Sequence, residues 1–287
     1  MRKILAVLCV LAVIVVGWYG AAISLNAKWT HDQAKRAGTE VQFSELVADT
    51  LSQERPVLPA PHQVAVELWK TTIQKKVTSK RSLVFHGWIT LSATLMGFLI
   101  GTTAGILLAV GIVHNRAMDM SVMPWAIASQ TIPILAIAPM IIVVLNSIGV
   151  QGLLPKAFIS AYLSFFPVVV GMVKGLRAPD MMQLDLMKTY SARSWDVFWK
   201  LRLPSSMPYF FASIKVAIAA ALVGAIVAEL PAGAIRGLGA RMLTGSYYGQ
   251  TIQIWSALFM AAFVAACLVG LVGMMQRWTL RKMGMTQ

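Results

Sequence analysis

Charge is scarce in this sequence, and acid is the scarcest part of it. Only 13% of the 287 residues are charged, 11 of them acidic against 25 basic. With 57% apolar residues, so little charge cannot cover the surface of a water-soluble domain, and the bilayer becomes the natural solvent. Cysteine is nearly absent. Cys9 and Cys267 both lie in apolar runs, so neither a disulfide framework nor a thiolate metal cluster can be assembled. No Gly-x4-Gly-Lys-Ser/Thr loop occurs, which leaves the chain without a phosphate loop of its own for ATP. No serine elbow is present, and His31, His62, His86 and His114 are scattered, so no catalytic residue and no metal site are expected. A net charge of +14 would suit a nucleic-acid binder, but the basic residues stand between apolar spans and no nucleic-acid motif accompanies them. Anionic lipid beside membrane helices is the partner this pattern fits, rather than nucleic acid.

What the sequence does have is long apolar runs. A helix crosses the hydrocarbon with roughly 20 apolar residues. Six stretches qualify: Ile4 to Ile23, Trp88 to Val113, Met123 to Ser147, Pro155 to Val173, Met207 to Leu230, and Thr251 to Met275. The expected fold is all-α, an integral membrane protein with about six transmembrane helices. A cleaved signal peptide also begins like residues 1–23, with Leu25-Asn26-Ala27 as a passable cleavage site. The apolar run exceeds the roughly 7–15 residues of a signal core, however, so a retained anchor is expected. Residues 24–86 are polar, with Pro56, Pro59 and Pro61 at their centre. Within them Val64, Val66, Leu68, Trp69 and Ile73 suggest a short amphipathic helix at a membrane surface. The expected organisation is therefore an anchor over 1–23, a periplasmic segment over 24–86, and a five-helix core over 87–287.

The short loops orient these spans. Arg116, the basic residues from Lys174 to Arg202, and Arg277, Arg281 and Lys282 fall on one side if six helices alternate. Arg2 and Lys3 join them, which places both termini in the cytoplasm. Residues 24–86 then face outward despite their own lysines and arginines, which six acids partly offset.

Gly97, Gly101 and Gly105 recur every four residues, a small-residue stripe that lets two helices approach closely in lipid. Ionisable groups within spans are costly and need a reason. Lys215 and Glu229 share the fifth span but stand about 21 Å apart along a helix, too far to pair. Glu229 either faces a translocation path or caps a hydrogen-bond network between helices. Gln130, Thr131 and Pro133 in the third span, and Ser160, Tyr162 and Ser164 in the fourth, either line the same path or bond helix to helix. Proline exposes carbonyls that need partners or a water-filled cavity.

The longest of the basic loops, 177–206, carries the most information. Trp195, Val197, Phe198 and Leu201 form a partly apolar stripe beside Arg193, Asp196, Lys200 and Arg202. Two short helices joined near Ser191 are expected, with Pro204 stopping the second and Pro208 in the first turn of the fifth span. Such a surface either docks a partner or rests on headgroups.

From about Leu58 to Trp278 the chain resembles the permeases of binding-protein-dependent ABC importers, of the nitrate/sulfonate/taurine type. The resemblance is carried by Leu58-Pro-Ala-Pro-His-Gln-Val64, Thr90-Leu91 with Gly97, Ile132-Pro133 and Ala138-Pro139. It continues in Phe198-Trp-Lys-Leu-Arg-Leu-Pro204, Val227-Ala-Glu229 and Gly237-Leu-Gly239. It implies a multi-pass protein of the bacterial inner membrane that forms a homodimer. It also implies two partner ATPase subunits, which hold ATP and Mg, and a periplasmic solute-binding protein. The loop 177–206 would then contain coupling helices that fit the ATPase, with Asp185, Ser191, Ala192, Arg193, Ser194, Trp195, Phe198, Leu203 and Pro204 as its coupling residues. Asp185-Leu186-Met187 departs from the family's Glu-Ala-Ala, and Ser191 stands where the family has glycine, which makes a positive-φ turn there costlier or absent. The implied function is inward transport of a small organic solute or oxyanion by alternating access. The cargo would be a sulfonate, taurine, nitrate or a pyrimidine-like heterocycle. The chain itself would be a transport subunit rather than an enzyme. An ion-gradient-driven secondary transporter or channel is the alternative, and it would need a carboxylate or broken-helix ion site near the midplane.

Overall fold

The computed structural model describes residues 2–38, 42–231 and 234–285. Met1, residues 39–41, 232 and 233, and the last two residues lie outside the described part. Every regular element among the described residues is helical. Five helices are long and apolar enough to cross a membrane: Ile4–Ala37, Leu83–His114, Leu153–Leu176, Ser194–Val227 and Thr251–Lys282. A sixth crossing exists if the pair Arg116–Ser129 and Ile134–Ser147, bent by 99°, counts as one span. The all-α membrane fold is as expected, but the third span is not a single rod.

The described chain forms two compact units, one built from residues 1–87 with 240–261 and the other from 88–239 with 262–287. In the first, α1 (Arg2–Ala37) continues well past the apolar run, because nothing from Leu25 to Ala37 breaks a helix. Its second half is pinned by Asn26, which is fully buried and fully satisfied. The Asn26 amide donates to the carbonyls of Thr50 and Leu58 at 3.2 and 2.9 Å, and its Oδ1 accepts from the backbone of Val57 and Leu58 at 2.8 and 3.2 Å. Thr30 donates to Asp49 at 2.7 Å, fixing α2 (Phe43–Ser52) alongside. Trp18 donates its indole N–H to the Pro59 carbonyl at 3.0 Å and stacks on Phe259 at 5.7 Å. The proline-rich stretch is thus a tied strap, and it leads into α3 (Pro61–Trp69), a five-residue π turn (Lys70–Gln74) and the start of α4 (Leu83–His114). Helix α11 (Leu238–Tyr247) from Ala240 onward and the first part of α12 (Thr251–Lys282) complete this unit.

In the second unit α7 (Leu153–Leu176) is the central helix. The glycine stripe of α4 faces it. A methyl placed on Gly97 would lie 2.4 Å from the Ser160 Cβ, one on Gly101 2.1 Å from the Ser164 Oγ, and one on Gly105 2.8 Å from the Val168 Cβ. Two four-residue periods therefore interlock, and only the absence of a side chain allows the approach. Helix α10 (Leu203–Val227) packs just as closely on α7: Gly171 and Gly175 admit Ser213 and Ser206, while Gly224 of α10 lies against the Ser160 backbone.

The bent pair is α5 (Arg116–Ser129) and α6 (Ile134–Ser147). Its break has a local cause. The Ser129 carbonyl would take its helical bond from residue 133, and Pro133 has no N–H to give. The Tyr162 hydroxyl on α7 donates to that carbonyl instead. The orphan acceptor is satisfied and the bend is held.

Candidate functional site

Three places in the second unit hold the sequence-predicted residues. The first is the segment linking α7 to α10. At the start of helix α8 (Met181–Thr189) the Asp180 N–H donates to the Gln183 side chain at 3.2 Å. It ends in a Schellman motif, with Ala192 N–H to Met187 O at 3.0 Å and Ser191 N–H to Lys188 O at 2.8 Å. Ser191 takes the left-handed position of that motif at φ +53°, the one non-glycine residue with positive φ among those described. Glycine fills the same role after α6, where Gly149 has φ +85°. The turn expected to be costly or absent is therefore present, made by serine.

The chain then enters α9 (Ser194–Val197), a second five-residue π turn (Phe198–Arg202), and α10. Here the expectation that Pro204 stops the helix is corrected. Pro204 lacks the N–H an α-helix would use, but it falls in the first turn of α10, and the wider π turn before it carries the helix through. Ser194 to Val227 is continuous. Phe198 is buried, with the His114 ring edge-on at 5.4 Å, whereas Trp195 is 69% and Trp199 48% exposed. Trp195 and Trp199 meet at 5.4 Å, and Asp196 pairs with Lys200 at 2.7 Å. Met181, Met182 and Leu186 on α8 and Tyr190 just past it are also exposed, as are Asp185, Arg193 and Ser194, while Ala192, Leu203 and Pro204 are half-buried. Beside Trp195 and Phe198 lies a 190 Å³ hollow lined also by Val110, His114 and Ser194. A short loop thus leaves much aromatic and thioether surface exposed.

The second place is the bend. Gln130, Thr131 and Pro133 are exposed on it, and half-buried Tyr162 braces it. Ser160 and Ser164 are not with them. Both are fully buried, Ser160 donating to the Ala221 carbonyl at 2.7 Å and Ser164 to those of Ala161 and Gly97 at 3.1 and 3.4 Å.

The third is Glu229, fully buried just beyond α10. Lys156 pairs with it at 3.1 Å, the Thr90 hydroxyl donates at 2.8 Å, and the Gly239 N–H donates at 3.0 Å. Lys156 also donates to the Arg236 carbonyl at 2.8 Å. A methyl on Gly237, at φ +127°, would lie 2.0 Å from the Glu229 Cδ, and one on Gly239 would lie 2.4 Å from the Ile226 carbonyl oxygen. The Gly237-Leu-Gly239 motif is thus the cradle of this carboxylate. The distance along the fifth span excludes Lys215 as the partner of Glu229, and the sequence alone does not point to Lys156 in its place. The available signal was a lone lysine in the first turn of an otherwise uncharged span. Lys156 also borders a cavity of about 550 Å³ with Ser92, Asn146 and Arg236.

Comparison with known proteins reads these features together. The family model described as binding-protein-dependent transport system inner membrane component matches residues 101–285. A probable ABC transporter permease protein of Haemophilus influenzae is 28% identical over 80% of this chain and 89% of its own length. The riboflavin transport system permease protein of Chloroflexus aurantiacus is 29% identical over 78% of this chain and 80% of its own. The formylaminopyrimidine transport permease protein of Halalkalibacterium halodurans is 30% identical over 66% and 72%. The matched stretch takes in α7, the α8–α9 loop, the π turn and the Glu229 cradle. This chain belongs to the binding-protein-dependent transport system inner membrane components, as an inner-membrane permease of the ABC importer type.

Proposed function

We propose that two copies of this chain form the membrane pathway of an ATP-driven importer, with the α8–α9 loop as the lever on which two ATPase subunits push. The observation that supports this most is the exposed face of Met181, Met182, Leu186, Tyr190, Trp195 and Trp199, an unpartnered surface on a loop joined through a continuous helix to α10. ATP and Mg would sit on the ATPase subunits, and a periplasmic solute-binding protein would deliver the cargo. Both termini and the loop would face the cytoplasm. Closure of the ATPases on ATP would draw the two loops together, shut the inner gate and open the outer one. The exposed residues of the bend, Gln130, Thr131 and Pro133, are the best placed to meet solute, since Ser160, Ser164 and Glu229 are committed to bonds within the chain. The cargo class we favour is a small organic heterocycle, of the kind for which two of the relatives are named.

The test is reconstitution in liposomes with the ATPase and the solute-binding protein. ATP hydrolysis should rise when loaded binding protein is added, and that rise should vanish when Trp195 to Arg202 is deleted although the permease still inserts. Uptake by this chain alone, driven by an ion gradient, would overturn the proposal. So would labelling of a cysteine at position 194 from outside intact cells.

A further inference from the structure

The short helix α3 and its π turn are apolar on two sides, and the first unit uses only one of them. Val64 is 2% exposed and Thr71 1%, so that side packs inward. Val66, Trp69 and Ile73, spaced by three and four residues, line another side and are 48, 57 and 60% exposed. Val77, just past the turn, is 58% exposed. Periodicity alone merges these into one stripe; burial separates them.

The outward side has company of one charge. Lys70, Lys75, Lys76, Lys80 and Arg81 follow one another with no acid among them, the nearest being Glu67. None of the five enters an ion pair among the described residues. Such a run repels itself in water and gains from a surface that supplies anions. The stretch after Ile73 is also kept short by two consecutive turns, Ser79 N–H to Lys76 O and Ser82 N–H to Ser79 O, each at 2.9 Å. They deliver the chain directly to Leu83, where the α4 span begins. The exposed apolar residues and the unpaired cations therefore lie next to the point at which the chain enters the membrane.

We infer that α3 and its π turn form a lipid-binding element selective for anionic phospholipid headgroups. Val66, Trp69 and Ile73 would enter the boundary between headgroups and acyl chains, while the five cations gather lipid phosphates around the foot of α4. An acidic soluble protein would match the charge. The apolar side and its continuity with a membrane span favour lipid.

The experiment uses the full chain with Cys9 and Cys267 replaced by serine and an environment-sensitive fluorophore on Ile73→Cys. Nanodiscs are made from equal parts phosphatidylcholine and phosphatidylglycerol, with bromine on the acyl chains of one lipid or the other. Lipid-borne bromine should quench the probe, several-fold more strongly when phosphatidylglycerol carries it, and high salt should erase that preference. Replacing Lys70, Lys75, Lys76 and Lys80 by glutamine should equalise the two lipids while quenching persists. Val66→Ser with Trp69→Ser should remove quenching by both. Quenching by aqueous iodide and by neither brominated lipid would overturn the inference. Shielding from iodide that arises only on adding the solute-binding protein would assign the patch to that protein instead.

Discussion

The helix from Ser194 to Val227 has two unlike ends. Just beyond its C-terminus, Glu229 is buried, ion-paired, hydrogen-bonded from two further elements and enclosed by glycines. At its N-terminus, Trp195 and Trp199 are exposed, the backbone takes a π turn, and the turn just before it rests on a left-handed serine. At one end both carboxylate oxygens of Glu229 are committed; the other leaves apolar surface uncovered and geometry strained. The contrast separates a part locked by its own chain from a part whose apolar side chains its own chain leaves open.

Substitutions can break or sharpen that contrast. The largest effect on stability should come from Lys156→Met, which strips the buried Glu229 carboxyl of its ion-pair partner. The loss should be roughly 3–5 kcal/mol, seen as early thermal aggregation of the detergent-solubilised protein. Adding Glu229→Leu should recover most of it, because a removed pair is far less harmful than a broken one. Next comes Gly101→Val, which drives a branched side chain into Ser164 and the Ala161 backbone. It should cost about 1–3 kcal/mol by overpacking, read in the same assay, while the same change at Gly17, which has open space around it, should cost much less. Smaller again is Ser191→Gly, which relieves the left-handed strain and should stabilise by about 1 kcal/mol. Protease protection of the α8–α9 loop would register it, and a loop loosened by glycine would contradict the assigned turn. Smallest on stability is Trp195→Ala, expected to stay within about 0.5 kcal/mol because the side chain is exposed. That same change should abolish co-purification with the ATPase. If it destabilised the permease as much as Lys156→Met, the two ends would not differ as described.

Legibility from the sequence followed the range of each interaction. The Gly97-Gly101-Gly105 stripe was readable because its period lies within one helix, but nothing in it named Ser160, Ser164 and Val168 as the opposing row. Pro133 announced a break, since a missing N–H is a local fact. The 99° bend and its Tyr162 brace depend on another helix. Pro204 misled for a related reason: the rule that proline ends a helix assumes α geometry, and a π turn alters the hydrogen bond that proline cannot make. Ser191 showed only that glycine was missing, not that the Schellman bonds would hold serine in its place. Lys156 and Glu229 are 73 residues apart, and their pairing is tertiary. The spans themselves were legible from hydropathy alone, because lipid imposes one demand on every residue in them.

The π turn from Phe198 to Arg202 has a geometric corollary. Each residue in an α-helix advances the azimuth by about 100° and the height by about 1.5 Å. A turn holding one residue more than α geometry therefore fixes the compass bearing of Trp195 relative to α10. Rewinding those five residues as ordinary helix would swing the indole to another quadrant without breaking the rod. Bearing, as well as position, can thus be transmitted along it.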